Sequence, residues 1–326
     1  MYGYEILHEE IAESLIKNVR ERTVQHAYIF EGEEGVGSLE CAGLFAQTLV
    51  CEKDDTAPCT VCNACIMAKA ETHPDIYFIK PIPGKKNITV DQIRTVVTDA
   101  YTKPYESGRK VYIIAYGDDM NEQAQNAFLK VLEEPPQYAV FIILAENYES
   151  LLATIRSRCT RVRFNPVTNA KIREYVKKHF PDETEKLEFL VRYSGGVAGN
   201  VEKILGAENF IPLRATAFDK LESLLSNRFL DAYVIADFVE ENKDDADLIL
   251  KFWQEFVRDI MLIQSECREL VQNGDFIDRL INISNRVPEK RIVRTQEQLL
   301  LAQKMRRRYV SLHTLCLRLA FSIKKK

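Results

Sequence analysis

The sequence predicts an N-terminal α/β domain, in which a parallel sheet is covered by helices on both faces, followed by a small helical domain and an all-α C-terminal domain. Two observations support this fold class. The first half of the chain alternates short apolar runs with segments of helical spacing, which is typical of parallel sheets. After Asn165-Pro166 the strand patterns fade and helical patterns continue. We therefore predict domains at residues 1–165, 166–206 and 207–326.

The elements of the first domain follow from local patterns. The predicted strands are Ala27–Phe30, Val111–Ala115, Val140–Leu144 and Arg161–Phe164. The middle two are rich in β-branched residues, as expected of strands that are buried on both faces. Leu39–Leu49 and Asn121–Glu133 have helical spacing, and Pro135-Pro136 ends the second of these helices.

The second half of the chain carries helix signals. Thr168 is predicted to cap one helix, and Asp182 is predicted to cap a second helix that ends near Tyr193. Ser194-Gly195-Gly196 breaks the chain before another short helix. Further on, six apolar residues at helical spacing predict a buried core face, and these are Ile249, Phe252, Trp253, Phe256, Val257 and Ile260.

The composition is that of an ordinary globular protein, with 326 residues, 46% hydrophobic and 28% charged. A net charge of −4 argues against a molecule that binds nucleic acid through overall basicity. Met1–Glu10 lacks the basic-then-apolar pattern of a signal peptide. No apolar run approaches the roughly 20 residues that span a bilayer. We therefore expect a cytoplasmic protein without a membrane partner.

A glycine-rich loop, Gly32–Gly37, lies between the first strand and its helix, where a P-loop would cradle phosphates with backbone N–H groups. Its outer glycines fit the G-x-x-x-x-G spacing. The next two positions hold Ser38 and Leu39 instead of the lysine and hydroxyl that bind phosphate and Mg²⁺. Glu33 and Glu34 place negative charge where a triphosphate would lie. The loop has the frame of a nucleotide site without its ligands.

The acidic strand end that such ATPases use for Mg²⁺ is also missing. The strand that begins at Val111 runs into Ala115-Tyr116, and Asp118 and Asp119 are predicted to lie on a turn beyond it. We therefore expect neither ATP binding nor ATPase activity from this chain. The alternative is an active ATPase with an unusual loop, and an ATP-binding assay separates the two hypotheses.

Four cysteines cluster in a module at about residues 51–65. The spacing is C-x7-C-x2-C-x2-C, formed by Cys51, Cys59, Cys62 and Cys65. Four thiolates complete a closed tetrahedral site, so we predict a structural Zn²⁺. An iron–sulfur cluster is the alternative metal group, and disulfides are disfavoured in a reducing compartment. Cys41, Cys267 and Cys316 are predicted to be inert thiols.

Several motifs resemble the clamp-loader subunits of the AAA+ superfamily, and together they resemble the delta-prime family of bacterial DNA polymerase III. They occur in the family's order, as Gln25–Phe30 with the glycine loop, the cysteine module, His73–Asp75, Ile88–Arg94, Asn121–Pro136 and Thr154–Cys159. The ATPase members of the superfamily keep the loop lysine and the acidic strand end, from which this chain departs. Active members also carry a nucleotide-sensing polar residue just after the strand Val140–Leu144. In this chain that place is altered to Glu146 or Asn147.

The resemblance implies a stator of the DNA polymerase III clamp loader that does not hydrolyse ATP and is not itself an enzyme, within a holoenzyme that is a DNA-directed DNA polymerase. It helps to load the sliding clamp onto primed DNA during replication. The implied partners are the tau/gamma and delta subunits, with the clamp and primer-template DNA reached through the assembled complex. The C-terminal domain would be the oligomerisation collar.

Ser157-Arg158-Cys159 carries the implied catalytic contribution. By resemblance, Arg158 is an arginine finger that acts in trans on the ATP of a neighbouring tau/gamma subunit. The alternative for Arg158 is a salt bridge within its own domain. Arg156 is predicted to be structural.

A zinc-dependent nucleic-acid binder is a third hypothesis, tested by a salt-dependent DNA titration. Acids around the cysteines oppose a phosphate-binding surface, and these are Glu52, Asp54, Asp55 and Glu71. From Arg286 to Lys326, twelve basic residues stand against two acids. This run favours a solvated helical face over contact with phosphates.

Overall fold

Contacts between residues divide the chain into two units, Met1–Ile172 with Gly196–Gly199, and Arg173–Gly195 with Asn200–Lys326. The computed structural model describes residues 7–53, 56–82, 87–207, 209–225, 231–306 and 312–324. The division into domains at 1–165, 166–206 and 207–326 stays a prediction. Among the described helices, none combines the length and apolar character that crossing a bilayer requires.

The first unit is built on a parallel sheet. Its strands are β1 (Ala27–Glu31), β2 (Ile76–Ile79), β3 (Lys110–Ile114), β4 (Ala139–Ala145) and β5 (Thr160–Arg163). They lie in the order β2-β3-β4-β1-β5, and each neighbouring pair is parallel. Strands β3 and β4 are buried along their whole length, as their apolar sequences require. The four predicted strands are confirmed, and β2 is an edge strand that the sequence analysis did not include.

Helices cover both faces of this sheet. They are α1 (Glu9–Arg20), α2 (Ser38–Val50), α3 (Asn63–Lys69), α4 (Val90–Ala100), α5 (Glu122–Glu133) and α6 (Ala153–Arg156), with α7 (Asn169–His179) following β5. Polar caps fix where two of them begin. Thr89 and Gln92 form a reciprocal capping box at the start of α4. The Asn121 side chain accepts the Ala124 N–H at 2.9 Å before α5.

The alternation of side chains along each strand separates two cores, because successive residues point to opposite faces. On one face, Tyr28 of β1 packs edge-on against Phe45 of α2, with ring centroids 5.2 Å apart. On the other face, Ile29 lies in the cluster that contains Phe128 of α5 and Phe141 of β4. Both faces are therefore buried by packing. Functional side chains can lie only at the two edges of the sheet where the strands begin and end.

The second unit is helical, and α7 and α9 cross the division between the units. After α7 the helices are α8 (Leu187–Tyr193), α9 (Ala198–Gly206), α10 (Phe210–Leu225), α11 (Asp231–Glu241), α12 (Ala246–Gln264), α13 (Ile277–Arg286), α14 (Glu289–Arg306) and α15 (Leu312–Lys324). The predicted core face of α12 is confirmed, since all six of its residues are fully buried. Trp253 satisfies its indole N–H by donating to the Ala217 carbonyl at 2.8 Å.

One predicted helix start is wrong. Thr168 precedes α7, as predicted, but α8 begins only at Leu187 and its N-cap is Lys186 instead of Asp182. The intervening Pro181–Lys186 forms a 3-10 segment, in which Glu183 has the non-helical angles φ −94° and ψ 29°. This local kink separates Asp182 from the α-helix that it was expected to cap.

Asp75 organises the chain between α4 and β3. It is fully buried, and its carboxylate accepts N–H groups from Tyr105, Glu106 and Ser107 at 2.6, 2.9 and 2.8 Å. Burial raises the pKa of this carboxyl, but the bonds from Ser107, Tyr105 and Glu106 outweigh burial and hold the pKa below its usual range. The ionised carboxylate therefore fixes the loop that leads into β3.

We expect Asp75→Asn to lower the free energy of unfolding of the first unit by about 2–3 kcal/mol at pH 7, since an amide turns N–H groups toward buried donors. A depressed folded pKa gives stability that is present above the unfolded value of about 3.9 and is lost as the pH falls through the folded pKa. The difference between wild type and variant should therefore shrink in acid. Hydrogen exchange of β2 and β3 amides measures it. The exposed Asp91→Asn is the control, and wild-type protection in Asp75→Asn would contradict the expectation.

Candidate functional site

The glycine loop leaves the carboxyl end of β1 and enters α2. Gly37 is the N-cap of α2 with φ +110°, and Gly35 has φ +84°, both in the region that favours glycine. A Cβ on Gly32 would lie 2.8 Å from the Phe164 carbonyl oxygen, and a Cβ on Gly35 would lie 2.7 Å from the Gly199 Cα. The glycines are required by close backbone packing, whether or not a phosphate binds.

The positions for phosphate and metal ligands hold side chains of the wrong chemistry. Ser38 is the first residue of α2 and is buried, and Leu39 packs against the hydrophobic core. The Glu34 N–H, at the tip of the loop, donates to Glu146 Oε1 at 2.9 Å. The Tyr116 hydroxyl donates to Glu34 Oε1 at 2.9 Å. Side chains of the chain itself therefore contact the loop where a phosphate would need it.

Asp118 and Asp119 follow β3 in the 3-10 segment Gly117–Asp119, as predicted. Burial raises the pKa of Asp119, and the carboxylates of Asp118 and Glu146 raise it further. Asp118 Oδ2 accepts the Asn147 N–H at 3.4 Å. The edge of the sheet that carries the loop thus gathers carboxylates, a charge pattern that opposes a bound triphosphate.

The sulfurs of four cysteines meet in the module between α2 and α3. The ligand atoms of Cys51, Cys59, Cys62 and Cys65 all lie within 4.8 Å of one another. Zinc–sulfur bonds of about 2.3 Å place the sulfurs of a tetrahedral site about 3.8 Å apart, so this arrangement can hold a metal ion. With four thiolates the coordination is closed, and the ion would be structural. The predicted residues are therefore brought together.

Backbone N–H groups point at these sulfurs. Cys62 is the N-cap of α3, and its sulfur accepts the Cys65 N–H at 3.4 Å. N–H groups of Val61 and Cys62 lower the pKa of the Cys59 thiol to about 6, and burial raises the pKa of Cys65. Thiolates are the form that binds metal, and N–H donors stabilise that form. Asp54 and Asp55, named above among the acids around the cysteines, lie outside the described residues.

The module is fastened to the helices beside it. Arg20 at the end of α1 donates two hydrogen bonds to the Ala57 carbonyl, at 3.2 and 3.0 Å. The buried Gln47 side chain of α2 donates to the Cys65 carbonyl at 2.8 Å. Outside the module, burial raises the pKa of Cys41 to about 12, which agrees with an inert thiol.

Arg158 lies at the opposite edge of the sheet from the glycine loop. It precedes β5, whose Thr160 pairs with Tyr28 near the amino end of β1, whereas the loop leaves the carboxyl end. A strand of this length spans about 13–16 Å. The guanidinium donates to the Thr154 carbonyl at 2.9 Å through Nη1 and to Glu133 Oε1 at 2.9 Å through Nη2. The ion pair that was the alternative role of Arg158 is present, and the arginine-finger role stays a prediction.

The neighbouring arginines have partners of their own. Arg156 pairs with Glu149 and lies 5.2 Å from the Tyr148 ring centroid, which agrees with its predicted structural role. Arg161 forms a bidentate pair with Glu31, at 2.7 and 2.8 Å, across the β1–β5 ladder. The contacts of Glu133 and Glu34 were not predicted from the sequence. The signal available for Glu133 was a carboxylate at the last position of a helix, where negative charge is unfavourable.

The strand order and the loop after β1 define an AAA+-type domain, in which the loop has lost its lysine and hydroxyl. A model of the family described as "DNA polymerase III, delta subunit" matches residues 7–168. The predicted resemblance of the chain to delta-prime subunits is confirmed.

Individual relatives agree with the family match. The chain is 33% identical to DNA polymerase III subunit delta' of Pseudomonas aeruginosa over 62% of this chain and 62% of that protein. It is 32% identical to subunit delta' of Bacillus subtilis over 49% and 48%. It is 34% identical to subunit tau of Bacillus subtilis over 50% of this chain and 29% of that protein. The chain spans less than two thirds of the length of each of these relatives.

We expect freshly purified protein to contain about one metal ion per chain, and Cys62→Ser to lose it while the sheet stays folded, because the sheet has its own core. Elemental analysis with circular dichroism measures both, and visible absorbance would reveal an iron–sulfur cluster instead. The matched control is Cys267→Ser, since Cys267 lies outside the cluster. Metal-free wild type with eight titrating thiols, or full metal content in Cys62→Ser, would contradict this expectation.

Proposed function

We propose that the chain is a delta-prime subunit of the DNA polymerase III clamp loader, a stator that does not hydrolyse ATP and supplies Arg158 in trans to a neighbouring tau/gamma ATPase. One observation carries the proposal. The loop of the chain has lost its phosphate and metal ligands, while Arg158 stands at the other edge of the same sheet. In this proposal the chain supplies the Arg158 guanidinium to a neighbouring site and does not itself bind a nucleotide.

The loop side of the proposal rests on charge. Phosphoryl transfer needs a cation at the β- and γ-phosphates and a Mg²⁺ bridging them. At this loop the Glu34 N–H is taken by the Glu146 carboxylate, and Ser38 supplies no positive charge. A triphosphate would have to displace one carboxylate and approach another, which disfavours binding.

The arginine side rests on topology. Because β1 and β5 are parallel neighbours, Arg158 and the loop lie about one strand length apart, on the order of 13–16 Å. An extended arginine side chain cannot cross that distance to its own loop. A guanidinium at this edge can serve a phosphate only on another subunit, where planar, forked donors suit the charge of the transition state.

The remaining parts of the proposal concern structure and partners. We propose that Cys51, Cys59, Cys62 and Cys65 hold a structural Zn²⁺, which supplies no chemistry to the reaction. The proposed partners are the tau/gamma and delta subunits, with the sliding clamp and primer-template DNA met in the assembled loader. Residues 166–206 and 207–326 are proposed as the small helical domain and the collar.

The isolated chain should neither bind nor hydrolyse ATP, because neither the cation nor the Mg²⁺ ligands are in place. Isothermal calorimetry with ATP and Mg²⁺ and a steady-state ATPase assay measure this. Ser38→Lys alone should not restore turnover, since the Mg²⁺ ligands are still absent. Micromolar affinity, or turnover above background, in the wild-type chain would favour the alternative of an active ATPase.

Arg158→Ala should leave metal content and assembly intact but lower the ATPase rate of the loader reconstituted with tau/gamma, delta, clamp and primed DNA. The site that it serves should lose on the order of 10³-fold, so the total rate falls by the share of that site. Arg158→Lys should rescue poorly, because an ammonium lacks the fork of donors. The control is Arg163→Ala, which removes an exposed arginine at the end of β5, the strand that follows Arg158. An unchanged rate for Arg158→Ala in a fully assembled loader would overturn the finger assignment.

A further inference from the structure

Arg158 is held by three groups, two from the segment around α6 and one from α5. Its Nη1 donates to the Thr154 carbonyl of α6 and to the Ser157 hydroxyl, at 2.9 and 3.3 Å. Its Nη2 donates to Glu133 Oε1 of α5 at 2.9 Å. A guanidinium has five N–H donors, and these three contacts, taken over the described residues, leave donors over for phosphate oxygens. The side chain is 35% exposed, so one side of it meets solvent.

The position of Glu133 is unfavourable unless it has a partner. It is the last residue of α5, where the helix dipole disfavours a carboxylate. Glu134 is the C-cap and Pro135-Pro136 follows it, so the carboxylate is placed at the end of a rigid element. A guanidinium beside it offsets the unfavourable charge. A carboxylate at a helix C-terminus departs from the usual preference for positive charge there. Such departures, when one contact offsets them, are typical of functional sites.

The segment that carries Arg158 is also fixed to α5 at its other end. The Leu152 N–H, just before α6, donates to Gln125 Oε1 at 2.7 Å. Gln125 and Glu133 are eight residues apart, so the two contacts lie roughly 12 Å from each other along α5. The buried Ile155 holds α6 down between these two points. The backbone around Arg158 is therefore restrained by these contacts. Glu133 restrains the long side chain of Arg158.

We propose that Glu133 is a positioning residue for Arg158, which holds the guanidinium in the orientation from which it reaches the phosphate of a neighbouring subunit. The proposal rests on the arginine-finger function proposed above. A free arginine side chain samples many rotamers, and a group held in place loses less entropy when the transition state forms. Glu133 should therefore act on kcat for ATP and not on KM, since it touches neither nucleotide nor metal.

The test uses the reconstituted loader with clamp and primed DNA, and wild-type, Glu133→Ala, Glu133→Gln, Arg158→Ala and doubly substituted chains. The difference in kcat between wild type and Arg158→Ala defines the part of the rate that depends on Arg158. Glu133→Ala should lower that part roughly twofold to fivefold, the range of an exposed ion pair, with KM unchanged. Glu133→Gln keeps an oxygen acceptor and should retain most of it. In the Arg158→Ala background, Glu133→Ala should have no further effect.

A matched control is Glu134→Ala, which removes a neighbouring exposed carboxylate that does not hold Arg158. Gel filtration and thermal unfolding establish that each loader is assembled and folded. If Arg158→Ala lowers kcat but Glu133→Ala equals or exceeds wild type, the positioning role is overturned while the finger stands. A further loss from Glu133→Ala in the Arg158→Ala background would mean a structural role and would also overturn it. If Arg158→Ala itself has no effect, the proposed function falls, and the positioning role falls with it.

Discussion

The parallel pairing of β1 between β4 and β5 is the constraint on which the rest of the first unit depends. Because both faces of the sheet are buried, every polar function has to lie at one of its two edges. The loop follows the carboxyl end of β1, and Arg158 precedes the amino end of β5. The two motifs that the sequence places in one domain are thus separated by a strand length. The Arg158 guanidinium therefore cannot reach a ligand at the loop of its own sheet.

The glycine loop illustrates how a frame can persist without its chemistry. Gly32 and Gly35 leave no room for a Cβ, since the Phe164 carbonyl and the backbone of Gly199 lie against them. Packing alone therefore demands these glycines. Nothing comparable demands a lysine at position 38, where Ser38 is buried at the start of α2. The glycines of a phosphate loop are required by backbone packing, whereas its lysine is required by the charge of the phosphate. This chain has the glycines and lacks the lysine.

Sequence reasoning succeeded where the determining contacts are local. The strands, the end of α5 at Pro135, the core face of α12 and the meeting of the cysteines all follow from spacing, periodicity or turn chemistry. It failed at Asp182, where a kink at Glu183 overrode a good cap residue. It also missed β2, a short and half-buried edge strand. Contacts such as Glu34 with Glu146, 112 residues apart, depend on how strands are ordered, which no local pattern contains.

The charged side chains are distributed differently at the two edges of the sheet where its strands begin and end. At the edge of the loop, Glu34, Asp118, Asp119 and Glu146 gather with no bound cation needed to hold the fold, because hydrogen bonds from the backbone and from Tyr116 satisfy three of them. At the other edge a carboxylate and a guanidinium are paired. The first arrangement would place like charges beside a triphosphate, which weakens its binding. The guanidinium at the other edge is paired but remains 35% exposed, so the two edges of one sheet present opposite charges to solvent.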